Sequence, residues 1–258
     1  MFSVLFDIKD NIAIIHLHRP EKYNSFNRAM ALHLQQVLDD CATDKSIRAI
    51  YLTGSGKAFC AGQDLSELTG ENPPGFDVIL SEHYNPIIHK IRTIEKPVIC
   101  AVNGVAAGAG ANIALCCDIV VASHSATFIQ AFSKIGLIPD SGGTFILPRL
   151  IGFQKASALM MLGDKVTATE AERIGMIYKV FPDEDFAEES MKVAATLSSM
   201  PTKALAYTKQ ALKASLNNTL EEQLRAEDKL QYAAAHTTDY KEGVAAFIEK
   251  RVPLFKGE

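Results

Sequence analysis

The sequence predicts an α/β core followed by a helical C-terminal region. Short β-rich runs alternate with helical patterns through the first two thirds of the chain, which argues for a sheet covered by helices. Beyond about residue 182 the pattern is helical almost to the end. A length of 258 residues supports a large core that needs no disulfide or metal. With 48% hydrophobic and 22% charged residues, the composition is that of a folded globular chain.

Each element has its own signal. Val4-Leu5-Phe6 and the run from Ile12 to Leu17 flank Lys9-Asp10-Asn11, a turn signal, and together predict a hairpin. Met30, Leu34, Val37, Leu38 and Cys41 recur at helical spacing and predict an amphipathic helix. Residues 47–52 predict a third strand, closed by Thr53-Gly54-Ser55-Gly56; residues 97–102 and 118–123 predict a fourth and a fifth. Residues 69–76 contain Gly70, Pro73, Pro74 and Gly75 and read as a surface loop. Met200-Pro201 separates two helices and Asn217-Asn218 the next pair. The expected division is an α/β core over 1–199 and a helical region over 200–258.

Charge and cysteine usage narrow the function. Twenty-six basic against 30 acidic residues give a net charge of -4, which argues against nucleic acid as a partner. A small anion held by one or two local cations stays open. The five cysteines (Cys41, Cys60, Cys100, Cys116, Cys117) are odd in number, lack zinc spacing, and read as buried free thiols. No signal peptide is visible over residues 1–7. Asn103, Asn112, Asp118 and several glycines interrupt the most apolar stretch, 97–122, so no membrane span is expected. The expectation is a cytoplasmic protein.

Three segments could carry chemistry. In Lys57-Ala58-Phe59-Cys60-Ala61-Gly62-Gln63-Asp64-Leu65, small residues follow a strand and lead into a helical pattern, so a ligand could approach the backbone. Ala101 to Asn112 repeats the arrangement around Gly108 and Gly110. A dinucleotide fingerprint fails there, because Ile113 stands where the third glycine belongs. Tight helix-on-sheet packing explains one such turn; two together could aim two N–H groups at one oxygen, an oxyanion hole. The third segment is Gly136-Leu137-Ile138-Pro139-Asp140-Ser141-Gly142-Gly143-Thr144. Asp140 is the only acid between Asp118 and Asp164 and follows apolar residues. It reads either as a base whose pKa is raised by burial or as the cap of a helix starting at Gly142 or Thr144. The seven histidines form no triad with a nucleophile signature, and Ser66 and Ser141 lack a nucleophile elbow.

Together these segments resemble the crotonase, or enoyl-CoA hydratase/isomerase, superfamily. The resemblance spans the chain, from Leu17-His18-Arg19-Pro20-Glu21-Lys22-Tyr23-Asn24-Ser25 to Glu242-Gly243-Val244-Ala245-Ala246-Phe247-Ile248-Glu249-Lys250-Arg251. It implies a crotonase-like spiral of ββα units, a C-terminal trimerisation region, and a homotrimer or a hexamer of two trimers. It also implies an acyl-CoA thioester substrate, with no cofactor beyond the CoA of that substrate. By position, the implied oxyanion donors are the backbone N–H groups of Gln63 and Ala109, where the family usually has glycine at the second. CoA and substrate contacts are implied at Lys22, Ala61, Gly62, Asp64, Leu65, Gly108 and Phe132. Phe247 and Lys250 would come from a neighbouring subunit, although Lys250 also reads as a surface charge.

The departures bear on the reaction. Where the hydratases of the superfamily carry two glutamates, this chain has Asn112 and Phe132. Its aryl-CoA dehalogenases use a tryptophan and a histidine; this chain has no tryptophan, and Asn85 falls at the histidine's place. What remains implied is an isomerase with one carboxylate, Asp140. Asn85-Pro86-Ile87-Ile88, Phe128-Ile129-Gln130-Ala131-Phe132 and Thr208-Lys209-Gln210-Ala211-Leu212 resemble the members that rearrange a ring epoxide of phenylacetyl-CoA to an oxepin. The alternatives are a straight-chain 3-enoyl to 2-enoyl-CoA isomerase, a weak hydratase, and a non-catalytic acyl-CoA- or RNA-binding relative.

Overall fold

The computed structural model describes residues 3–69 and 73–258, so residues 70–72 of the expected 69–76 loop lie outside the described part. β1 (Val4–Lys9) and β2 (Ile12–Leu17) form the predicted hairpin, with Asp10 and Asn11 at φ 51° and 62° at its tip. Asn27 caps α1 (Arg28–Thr43) by accepting the Met30 N–H. That helix buries Met30, Leu34, Val37, Leu38 and Cys41, the residues whose spacing predicted it. β3 (Ala49–Gly54) starts two residues later than expected. Ile47 and Arg48 are used in the turn before it, where their N–H groups donate to the carbonyls of Asp44 and Asn11.

β4 (Ala58–Cys60) is followed by a short 3-10 helix (Leu65–Leu68) and then α2 (Phe76–Val78). A π-helical turn (Ile79–Tyr84) runs from α2 into α3 (Asn85–Thr93). Then come β5 (Val98–Val102), β6 (Val105–Ala107), α4 (Ala109–Cys116), β7 (Ile119–Ser123) and β8 (Thr127–Ile129). α5 (Gly143–Ile151), α6 (Phe153–Leu162), β9 (Lys165–Thr167), α7 (Ala168–Arg173) and β10 (Lys179–Phe181) complete the mixed region. Four helices follow: α8 (Phe186–Ser199), α9 (Thr202–Ser215), α10 (Leu220–Ala235) and α11 (Thr238–Glu249). The breaks at Met200-Pro201 and Asn217-Asn218 stand where the sequence predicts them.

Two sheets result. The larger has the order β1-β2-β3-β5-β7-β10, with only the β1–β2 pair antiparallel. The smaller has the order β4-β6-β8-β9, parallel except at β8–β9. Central strands of the larger sheet are covered on both sides, which explains their unbroken apolar runs. One face, with Ile15, Ile50, Leu52, Cys100 and Val102, joins the cluster that includes α1. The other, with Ala49, Tyr51, Ile99, Ala101 and Val121, packs with Phe186 and Ala194 of α8.

The chain passes from the large sheet to the small one three times, β3 to β4, β5 to β6 and β7 to β8. Each passage is a unit of the spiral. The crossings are tight: a Cβ at Gly54 would fall 2.3 Å from the Ala58 carbonyl oxygen, and one at Gly104 2.2 Å from that of Lys57. The five cysteines are buried and free, and burial pushes the Cys60 thiol up to about 12. Among the described residues no helix is long and apolar enough to cross a membrane.

Candidate active site

The first candidate turn leaves the end of β4. Asn24, fully buried, donates through Nδ2 to the carbonyls of Ser55 (2.9 Å) and Ala58 (2.8 Å) and accepts the Arg19 N–H (2.9 Å). Tyr23 and Phe26 then bind the turn itself. The Ala61 N–H donates to Tyr23, the Phe26 N–H to Gly62, and the Asp64 N–H to Phe26, at 3.0, 2.7 and 2.8 Å. Gln63 sits between the last two as a parallel bridge to Phe26, so its own N–H is left for another acceptor. Its side chain is tied down: Oε1 accepts the Tyr84 hydroxyl at 2.9 Å, and Nε2 donates to Glu67 at 2.8 Å.

The helical pattern expected after the turn is a four-residue 3-10 helix. Asp64 caps that helix by accepting the Ser66 N–H and is ion-paired to Arg19 at 2.8 Å. Burial favours the neutral acid, but hydrogen bonds from Ser66 and Arg19 outweigh it and hold the carboxyl below its ordinary range. Through these partners the carboxylate of Asp64 braces the turn.

The second turn starts α4. Gly108 has φ +53° and ψ -128°, a conformation that suits glycine. Ala109 is the first helical residue, so its N–H is one of those an α-helix leaves unused. Its own φ is not in the left-handed region. The unusual backbone angle therefore falls on Gly108, which tolerates it, and the methyl group of Ala109 is accommodated. The two turns touch. A Cβ on Gly62 would lie 3.5 Å from the Ala109 nitrogen and 2.9 Å from the Ala107 oxygen, and one on Gly110 2.4 Å from the Cys60 oxygen. Among the described residues no acceptor engages the N–H of Gln63 or of Ala109. Phe132 is buried, with its ring 3.8 Å from where a Cβ of Gly108 would be.

Asp140 lies in the loop before α5. Its Oδ1 accepts the Ser141 hydroxyl at 2.8 Å. Gly142 is the N-cap of α5, without a side-chain cap, so the carboxylate of Asp140 does not cap that helix. Its main-chain carbonyl does the local work, accepting the Gly143 N–H at 2.9 Å and Asn112 Nδ2 at 2.8 Å. Burial raises the Asp140 pKa, partly offset by the Ser141 hydroxyl and its own N–H.

The source of that burial differs from expectation. Ile135 and Ile138, expected to shelter Asp140, are 56% and 81% exposed. Two residues on, Ile88 of α3 and Cys116 of α4 pack the same loop, their side chains 3.6 Å from a Cβ position at Gly142. Tyr84, at the end of the π-helical turn, is 1% exposed. Its pKa is driven well up by burial first, then by Cys60, Asp140 and Glu67. It thus holds Gln63 and feels the charge of Asp140, and was missed in the sequence, where nothing distinguishes it. π-Helical turns recur at functional sites.

The remaining expected residues are more peripheral. Lys22, Ala61 and Leu65 are exposed along the rim of the first turn. Phe247, 85% exposed, and Lys250, at φ 54° after the last turn of α11, lie in the C-terminal region.

Two touching turns with unengaged backbone N–H groups, and the half-buried carboxyl of Asp140, on a spiral of strand–strand–helix units point to a class. The model of the enoyl-CoA hydratase/isomerase family matches residues 7–258, and the chain belongs to that family. An Escherichia coli K12 relative, "1,2-epoxyphenylacetyl-CoA isomerase", is 43% identical with all of both chains covered. A Rhodobacter capsulatus relative, "Probable enoyl-CoA hydratase", is 44% identical, covering 99% of this chain and 98% of its own. The crystal structure of enoyl-CoA hydratase from Bacillus anthracis superimposes with a TM-score of 0.93 at 32% identity, covering 99% of this chain and all of the other.

Proposed function

We propose that this enzyme is an acyl-CoA isomerase that converts 1,2-epoxyphenylacetyl-CoA to oxepin-CoA and moves the double bond of simple 3-enoyl-CoA thioesters to the 2,3 position. The observation that carries the reading is Asp140, a partly buried carboxyl whose proton affinity is raised by burial. The side chains of Asn112 and Phe132, where a second base would be sought, take up no proton near neutral pH.

The thioester oxygen sits between the N–H groups of Gln63 and Ala109. Asp140 takes a proton from the carbon next to the thioester. The enolate charge is then held by two dipoles that need no reorganisation; losing one such donor costs roughly 3–4 kcal/mol of barrier. The electrons open the ring epoxide to the seven-membered oxepin, and Asp140 returns its proton to a ring carbon. No atom is gained or lost, and a proton shuttle needs no cofactor beyond the CoA of the substrate. Phe132 keeps water from the enolate. CoA runs along Lys22, Ala61 and Leu65, with Gly62 and Gly108 allowing close approach. Phe247 and Lys250 complete the site from another copy of the chain, in a homotrimer or hexamer.

The full-length Escherichia coli relative supports this reading, and the Rhodobacter capsulatus relative supports a second one, hydration of a 2-enoyl-CoA. The test is turnover of 1,2-epoxyphenylacetyl-CoA, 3-hexenoyl-CoA and crotonyl-CoA by wild type and Asp140→Asn. Conversion of the epoxide that is lost in Asp140→Asn upholds the reading. Turnover of 3-hexenoyl-CoA alone makes the enzyme a straight-chain isomerase, and dominant hydration of crotonyl-CoA makes it a hydratase.

A further inference from the structure

Asn112 sits in the first turn of α4 at 1% exposure, and both ends of its carboxamide are committed. Nδ2 donates to the main-chain oxygen of Asp140, and Oδ1 accepts Gln130 Nε2, each at 2.8 Å. The second bond fixes the orientation of the first. Because Gln130 offers an N–H, the Asn112 oxygen turns towards it and the nitrogen faces Asp140.

The surroundings are built around this amide. A Cβ at Gly143 would fall 2.3 Å from Asn112 Nδ2, so the absence of a side chain there leaves it room. Gln130 is 2% exposed, and its Oε1 has no partner among the described residues. A buried acceptor left unpaired is costly. The fold carries that cost while Nε2 stays on Asn112. The segment being held carries a strained residue, Ser141 at φ 51°, followed by Gly142, which adopts its φ of 74° readily.

We propose that Asn112, oriented by Gln130, is the positioning residue for Asp140. This rests on the reading of Asp140 as the base and the Ala109 N–H as an oxyanion donor. Ala109 and Asn112 belong to the same turn of α4. One rigid element therefore sets both the point where the enolate oxygen is held and the height of the backbone that carries the base. An acid at residue 112 would have no N–H to give and would repel the Asp140 carbonyl.

The test compares wild type, Asn112→Leu, Gln130→Met, the double variant and Asp140→Asn on 3-hexenoyl-CoA and 1,2-epoxyphenylacetyl-CoA, with folding followed by circular dichroism. Leu and Met preserve side-chain size and remove the donors. In Asn112→Leu, kcat is expected to fall about 100-fold, the scale of a misplaced reacting group, while KM hardly changes. Gln130→Met is expected to lose less, and the double variant no more than Asn112→Leu, because Gln130 acts only through Asn112. A folded Asn112→Leu with wild-type kcat, beside an inactive Asp140→Asn, overturns the brace alone. Additive losses in the double variant overturn it as well. Full activity in Asp140→Asn overturns the base assignment and removes what the brace would position. If Asn112→Leu does not fold, wild-type kcat in folded Gln130→Met rejects the proposal.

Discussion

Asp140 is held closer to neutrality than an ordinary carboxyl, and this has opposite consequences for rate and for stability. A base must be ionised, so kcat/KM is expected to rise with pH through the raised pKa. Its acid limb should lie above the ordinary aspartate value of about 3.9. The folded state binds this proton more tightly than the unfolded state, so the group's contribution to stability is present at low pH and is lost as pH rises through the folded pKa. Asp140→Asn should therefore lower activity by about 100-fold or more while its Tm at pH 7 equals or exceeds that of wild type. A pH–rate profile and a thermal melt check the two halves. Tyr84→Phe removes one hydrogen bond from Gln63, worth about 1 kcal/mol, and should lower kcat several-fold at unchanged secondary structure. Asp140 was legible because it stands alone in a long stretch without acids. Tyr84 was not, because its partner Gln63 is 21 residues away and its burial is made by the fold. The ion pair of Asp64 with Arg19 was not legible for the same reason, its members standing 45 residues apart.

Five strands of the large sheet and the helix α1 were legible in the sequence as apolar runs and helical spacing, whereas the sheet's three-residue edge strand β10 was not. Nor was the small sheet, since β4, β6, β8 and β9 have three residues each and three residues carry no pattern. Its existence depends on partners from distant parts of the chain. The sequence therefore showed the two turns but not the contact between them. That contact is made where α4 lies on β4, and Gly110 is the point of closest approach. Gly110→Ala should cost about 1–3 kcal/mol of stability, as overpacking does. It should also lower kcat by shifting the Ala109 N–H. Urea melts and steady-state kinetics on the same sample check both.

At the scale of the whole molecule, the helical region is fastened to the core by half-buried polar groups. Lys209 of α9, with its side chain 11% exposed, pairs with Asp118 at 2.7 Å and donates to the Ile91 carbonyl at 2.8 Å. Arg48 donates to the carbonyls of Met200 and Phe255 and to the Thr202 hydroxyl. Residues 1–199 and 200–258 are therefore expected to unfold in a single transition. Lys209→Met should lower that stability by about 3 kcal/mol, because it leaves a partly buried carboxylate unpaired. Two separate urea transitions would contradict the first expectation. In the sequence, Lys209 stood within a motif of the resemblance, but its fastening role depends on Asp118, 91 residues away.

Both candidate oxyanion donors belong to the peptide backbone, and this shapes how the protein can change. A mutation cannot delete a main-chain N–H short of proline; it can only tilt it. The electrophilic half of the candidate site is thus inherited with the fold, while the proposed base, Asp140, and the side chains at 112 and 132 beside it are open to revision. Libraries that randomise those three positions while keeping Gly62, Gly108 and Gly110 should retain thioester activation and yield new acyl-CoA reactions. Libraries that randomise the glycines should chiefly yield proteins that do not fold.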